Sequence, residues 1–240
     1  MQETAKTTTE CIMPIMPPTL SKQVSLKSYA LILGAKVVDS ICPLNNLVAH
    51  EGNRKVPAST CIFNFGPAST CPSRRLGLCA AHKAGVKCYA QKTEYAYHPL
   101  VLPYRKRQEA FWQSITAEEF VAQFLLLNSM KVNPFKTIRF SEAGDFHNQS
   151  ELDKAEKISQ LLSRFGIKCY CYTSRSDLNF SKIKSLIVSG SGFTKPGISN
   201  IFKIIKNKKD KPKGWSMCKG NCRVCNYCQI RGKKVCVMAH

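Results

Sequence analysis

Long apolar runs and acidic residues are what this chain lacks. No apolar stretch reaches the roughly 18 residues that a membrane-spanning helix needs, so no helical span and no membrane partner are expected. Residues Met1 to Glu10 carry neither the charged nor the apolar region of an export signal, and a soluble protein of the cytoplasm is expected. Asp and Glu number 15 against 36 Lys and Arg, a formal charge of +21. Between Ile201 and His240 the imbalance is sharper: eleven basic residues stand against Asp210 alone. Such a patch points to an anionic partner, nucleic acid or another polyanion, or else to a solvated tail that maintains solubility. Base-stacking aromatics are scarce there, with only Trp215 and Tyr227 nearby.

Cysteine is abundant, with 13 in 240 residues. A disulfide scaffold of that density would be a much shorter secreted chain. A reducing compartment and metal ligation fit better. The 44% hydrophobic content suffices for one substantial core with a small appendage, and oligomeric state is not legible.

The densest cysteine run is Cys218-Lys-Gly-Asn-Cys222-Arg-Val-Cys225-Asn-Tyr-Cys228, followed by Cys236, and all five are expected metal ligands. Gaps of three, two and two residues let several thiolates converge on one centre. Cys218, Cys222 and Cys225 have the C-x3-C-x2-C spacing with which radical-SAM enzymes hold a 4Fe–4S cluster. Iron–sulfur clusters favour such all-thiolate shells, and structural zinc accepts the same ligands. Cys228 offers a fourth thiolate for the iron that SAM would otherwise chelate, which argues against SAM at this run. The spacing also falls after the last predicted strand, whereas the radical-SAM loop follows the first.

A second group, Cys71, Cys79 and Cys88, has wider gaps, but Pro72, Gly77 and Gly85 put it on irregular backbone, where ligands are presented. Metal ligation is expected there too. Cys169 and Cys171 share one face of a strand and read as core or pocket wall. Cys11, Cys42 and Cys61 read as structural.

Three regions are expected: an N-terminal arm over residues 1–55, a βα unit array over 56–205, and a basic Cys-rich metal-binding tail over 206–240. The arm holds a turn at Pro14, Pro17 and Pro18 and an apolar stretch from Tyr29 to Val38. Cys61–Phe65, Thr137–Phe140, Ile167–Thr173 and Ser185–Ser189 read as strands, and Ala117–Met130 and Glu151–Phe165 as amphipathic helices. That alternation argues for an α/β fold with a parallel sheet. In such folds the loops after the strands line the ligand site. Those loops carry Glu142 and Asp145, an acid–base pair or cation ligands, and Arg175, a carboxylate or phosphate anchor. The bland alternative is that Asp145 and Asp177 cap helices while Arg175 pairs with one of them.

The order Thr70-Cys71-Pro72, Cys79, Cys88-Tyr89-Ala90, Pro103-Tyr104-Arg105, Ile138-Arg139-Phe140, Gly144-Asp145-Phe146 and Tyr172-Thr173-Ser174-Arg175, ending in the terminal cysteines, resembles the bacteriophage gene product eighty-eight family over about residues 58–236. That family is similar in outline to radical-SAM-like phage proteins. The resemblance implies an iron–sulfur cluster on a partial (βα) barrel, with the host-cell cytoplasm as location, and implies no particular reaction. The expected function is thus a phage-type iron–sulfur protein; if it is an enzyme, the chemistry is redox or radical-type, with Glu142, Asp145 and Arg175 orienting a polar or phosphorylated substrate. One alternative is a zinc-stabilised nucleic-acid-binding protein. The other is a non-catalytic interaction protein with a structural cluster.

Overall fold

The structure is a computed structural model and describes residues 49–239. The Pro-rich turn, the apolar stretch Tyr29–Val38, Cys11 and Cys42 lie outside the described residues. Eight strands form one sheet: β1 (His50–Glu51), β2 (Thr60–Phe63), β3 (Thr137–Phe140), β4 (Lys168–Thr173), β5 (Ile187–Ser191), β6 (Asn200–Ile205), β7 (Ser216–Met217) and β8 (Lys234–Met238). Their spatial order is β1-β2-β3-β4-β5-β6-β8-β7. Only β1 runs antiparallel to its neighbour; every other pairing is parallel. Parallel neighbours in chain order need a crossover after each strand, and helices supply the longest of them. The sheet is open, with β1 and β7 at its edges, and does not close into a barrel.

Helices α1 (Pro72–Arg75), α2 (Ala80–Lys83), α3 (Tyr89–Ala96), α4 (His98–Ser114) and α5 (Ala117–Ser129) lie between β2 and β3, and α6 (Gln149–Ser163) lies between β3 and β4. The start of α5 is fixed by a capping box: Thr116 Oγ1 accepts from the Glu119 amide at 3.2 Å, and Glu119 Oε2 accepts from the Thr116 amide at 2.9 Å. Asn148 caps α6 by accepting from the Glu151 amide at 3.1 Å. The two helices predicted from apolar spacing are α5 and α6, and the four predicted strands are β2 to β5. Unread in the sequence was α4, whose Pro99 is tolerated in the first turn and whose Pro103 removes one internal hydrogen bond.

Strand residues alternate between two faces. Cys61 and Phe63, Ile138 and Phe140, and Cys169 and Cys171 are in register across β2, β3 and β4 and turn into one core with Phe120 and Phe124 of α5 and Leu152 and Ile158 of α6. Aromatic rings dominate that core. Trp112, fully buried, lies 4.7 Å from the Phe65 ring and 5.8 Å from Phe63, centroid to centroid. The opposite face presents Arg139, Tyr170 and Tyr172, and the chain after β6 folds over it. The segment expected as a tail therefore contributes two strands to the sheet: β8 pairs with β6 and places Cys236 opposite Lys203.

One close approach explains a motif glycine. Gly144, at φ +77°, brings its Cα so near the backbone of Gly66 that an added Cβ would stand 2.7 Å from the Gly66 nitrogen. The loops after β2 and β3 are laced there: the Phe65 amide donates to the Ala143 carbonyl at 3.2 Å, and the Ala143 amide to Asn64 Oδ1 at 2.7 Å.

Candidate metal centres

The loop between β7 and β8 is short of secondary structure because its backbone is pinned from outside. The Cys218 amide donates to the Cys236 carbonyl at 2.7 Å and the Cys222 amide to the Lys55 carbonyl at 2.8 Å. Asn221 Oδ1 accepts from the Arg223 amide at 3.0 Å, making the side-chain turn that separates Cys222 from Cys225. Cys228 sits in a 3₁₀ turn, Tyr227–Gln229. As a result Cys218, Cys222, Cys225 and Cys228 all line one cavity, whose other wall is Arg139, Tyr170 and Tyr172 on the sheet. Cys236 is buried in β8 and serves the site through its carbonyl.

The electrostatics of this cavity are set by burial and by one guanidinium. Burial pushes the Cys222 thiol up and the Arg139 charge pulls it back. Cys228 is raised by burial against a hydrogen bond from the Tyr172 hydroxyl, and burial raises Tyr170 to about 12. Arg139 lies over the Tyr172 ring, 5.5 Å from its centroid, and 3.8 Å from Glu142 Oε1. Its Nε is buried with no hydrogen-bond partner. A buried donor left unsatisfied costs free energy, and in a thiol-lined cavity it marks a place for an acceptor.

The upstream cysteines are arranged by a repeated turn. Cys71, Cys79 and Cys88 are the residues preceding α1, α2 and α3, each with φ near −55° to −60° and ψ near 115° to 122°. Gly77 and Gly85, at φ +67° and +68°, end the first two helices, and the Leu78 and Val86 amides return to the Ser73 and Ala81 carbonyls at 2.8 and 2.9 Å. Each glycine thereby turns the chain back so that the next cysteine follows within three residues. Cys79 and Cys88 lie near enough to Cys71 that their charges add to the effect of burial and of Asp145, and the Cys71 thiol is pushed up to about 12.

Asp145 braces this group. It is 4% exposed and accepts from Ser73 Oγ at 2.6 Å, Thr173 Oγ1 at 2.6 Å, the Ser174 amide at 2.9 Å and the Phe146 amide at 2.9 Å. It thus ties α1, just past Cys71, to the end of β4. Burial nevertheless raises its pKa, with those hydrogen bonds opposing. Arg175, equally buried, occupies the adjoining loop, where it holds Asp177 through two bonds of 2.8 and 2.6 Å and also donates to the Phe146 carbonyl. Glu142 stands apart from both, accepting from Asn53 Nδ2 at 2.8 Å and the Tyr89 hydroxyl at 3.3 Å. The three polar residues therefore fall into two places: Asp145 and Arg175 beside the upstream cysteines, and Glu142 between Tyr89 and Arg139. Among the described residues, no three Cys, His, Asp or Glu side chains close up into a group able to hold a single metal ion.

Arg139, Tyr170, Tyr172 and Ser73 were not singled out from the sequence as site residues. Alternation could have found the tyrosines, since they flank Cys171 on the other face of the strand. The repeat of cysteine, glycine six residues later and cysteine again marks the upstream turns.

Fold and site together define a class: an open parallel α/β sheet bearing two separate sets of loop cysteines, one on its face and one at the ends of its strands. The family model described as gene product 88 matches residues 40–192, and the chain belongs to that family. The match includes Cys71, Cys79, Cys88, Glu142, Asp145 and Arg175 and ends before the cysteines of the tail. No curated protein and no solved structure matches the chain.

Proposed function

We propose that the protein is an iron–sulfur redox protein with two thiolate centres on a radical-SAM-like partial (βα) barrel. Cys218, Cys222, Cys225 and Cys228 would hold a 4Fe–4S cluster against the sheet face, and Cys71, Cys79 and Cys88 would hold a second. The observation that carries the reading is the tail cavity, lined by four cysteines and by Arg139, whose buried Nε lacks a partner. Cluster sulfides and thiolates are acceptors with net negative charge, which suits that donor and the Tyr172 hydroxyl. Such hydrogen bonds tune the potential of a cluster. A bound cluster supplies one-electron transfer; the chain's part is to fix the thiols, exclude water with Tyr170 and Tyr172, and compensate charge with Arg139.

Placement supports the second centre. Cys71, Cys79 and Cys88 follow β2, the first strand of the parallel series, where a radical-SAM-like barrel carries its cluster loop. Three thiols would leave one position of such a cluster for a ligand from solution, which the four-thiol tail would not. In this reading Asp145 and Arg175 are positioning residues: Asp145 holds the turn that presents Cys71, and Arg175 holds the loop beside it.

Anaerobically purified protein is expected to be brown, with broad absorption near 400 nm and with acid-labile sulfide in proportion to iron. Zinc without sulfide would replace this reading by that of a zinc-stabilised nucleic-acid-binding protein, in which the same tail thiols are drawn around one ion with Zn–S distances of about 2.3 Å.

A further inference from the structure

The segment from Cys71 to Gln108 makes a surface that neither thiolate centre explains. Arg74, Arg75, Lys83, Lys87, Lys106 and Arg107 are all exposed on it. The one carboxylate in this stretch, Glu94, is buried and bound to Arg105 at 2.8 Å and to the Ala68 amide at 2.8 Å. The segment thus shows solvent positive charge with no exposed acid of its own. The same segment carries three exposed tyrosines: Tyr95 at 80%, Tyr97 at 61% and, with its hydroxyl on Glu142, Tyr89 at 55%.

Cations alone would serve solubility. Exposed cations and exposed rings carried on one segment match a polymer that alternates phosphates with flat aromatic bases. From α1–α4 we infer that this surface is a platform for single-stranded nucleic acid, phosphates lying on the arginines and lysines and unpaired bases stacking on Tyr95 and Tyr97. A duplex keeps its bases inside and would leave those rings without partners. The chain's own first 48 residues offer no complementary charge, since Lys6, Lys22, Lys27 and Lys36 stand against Glu3, Glu10 and Asp39. The tail after β6 is basic too, but Tyr227 there is half-buried, with Lys233 5.4 Å from its ring centroid. The platform thus differs in place from the tail patch that composition first suggested. Cys71, Cys79 and Cys88 precede the helices that build it, so a bound strand would pass beside the upstream centre.

The test uses the full chain, purified anaerobically, and a fluorescein-labelled oligothymidylate or oligouridylate of about 20 nucleotides, a length that spans one to several typical single-strand sites. Anisotropy should show binding that weakens as salt rises, because released counterions drive it. The double variant Tyr95→Ala/Tyr97→Ala should weaken binding about tenfold or more with the salt slope unchanged, as loss of two stacking contacts requires. Lys83→Ala/Lys106→Ala should lower both affinity and slope. These side chains are exposed, so circular dichroism and metal content should match the parent and verify folding. Three results would overturn the inference: no binding at low salt, equal affinity for a duplex of the same length, or binding that survives both double variants and is lost on neutralising Lys208, Lys209 and Lys211. Metal content is read on the same samples, so failure here is separate from failure of the iron–sulfur reading.

Discussion

Strand β4 sends neighbouring side chains into opposite chemistries. Cys169 and Cys171 enter the aromatic core, where burial drives both thiols well up, Cys169 to about 12. Tyr170 and Tyr172, one residue away, face the cavity lined by the tail thiols. The same contrast separates the cysteines as a class. Those on strands, Cys61, Cys169, Cys171 and Cys236, are buried; those on loops, Cys71, Cys79, Cys88, Cys218, Cys222, Cys225 and Cys228, are half-buried and grouped. A thiol on a packed strand acts as a small apolar residue, and one on irregular backbone beside an opening is placed to ligate. Position on the backbone sorts the eleven described cysteines.

The comparison breaks most visibly on the core face. Trp112→Ala should cost about 3–5 kcal/mol, since it empties a fully buried ring site among Phe63, Phe65, Phe120 and Phe140. The urea midpoint measures this, and a loss below about 1 kcal/mol would mean that the core packs differently. On the cavity face, Tyr172→Phe should cost about 1 kcal/mol or less yet shift the reduction potential of the tail centre, because it removes the hydroxyl bonded to Cys228.

Between those extremes, Asp145→Asn should destabilise by about 2–3 kcal/mol, because an amide cannot accept all four bonds that Asp145 receives. Metal held by the upstream set should fall while the tail centre is retained. Equal loss at both would show that Asp145 supports the whole fold and not the Cys71 turn.

A further small effect is a pH dependence of about 1 kcal/mol. His147 hydrogen-bonds to Glu151 and stands 3.3 Å from Glu109; the Glu151 bond raises its pKa above 6.5, against burial. Burial pushes Glu151 up, but its bonds to His147 hold it below 4.5. A raised histidine contributes stability fully below its unfolded value and loses it as pH rises through the folded one. A lowered carboxylate contributes above its unfolded value and loses it as pH falls through the folded one. The pair should therefore support the fold best between about 4.5 and 6.5 and less at higher pH. His147→Gln should flatten that slope in urea titrations taken at successive pH values.

Much of this was legible in the sequence because two periods carry it. Short β-type runs at Thr137–Phe140 and Ile167–Thr173 and helical spacing in Ala117–Met130 and Glu151–Phe165 placed the central strands and two helices. What stayed hidden was hidden for physical reasons. Pro99 and Pro103 masked α4, although a proline in the first turn is compatible with a helix. Lysines at Lys203 and Lys234 made β6 and β8 read as part of a charge run, while Ile205, Val235 and Cys236 are buried in the sheet. At the site, the cysteines announced themselves by spacing, whereas Arg139 and Ser73 did not. Their roles come from cross-strand register and from a contact across 72 residues of chain, neither of which is a local pattern.

The most direct test of two separate thiolate centres is iron per chain in five proteins purified anaerobically: the parent, Cys79→Ala, Cys225→Ala, the double variant Cys79→Ala/Cys225→Ala, and Cys169→Ala. The account predicts that Cys79→Ala and Cys225→Ala each lose about half of the iron, that the two together lose nearly all of it, and that Cys169→Ala keeps the parent content. Loss of all iron from either single loop variant would mean one shared cluster, and equal loss from Cys169→Ala would contradict the division between strand and loop cysteines.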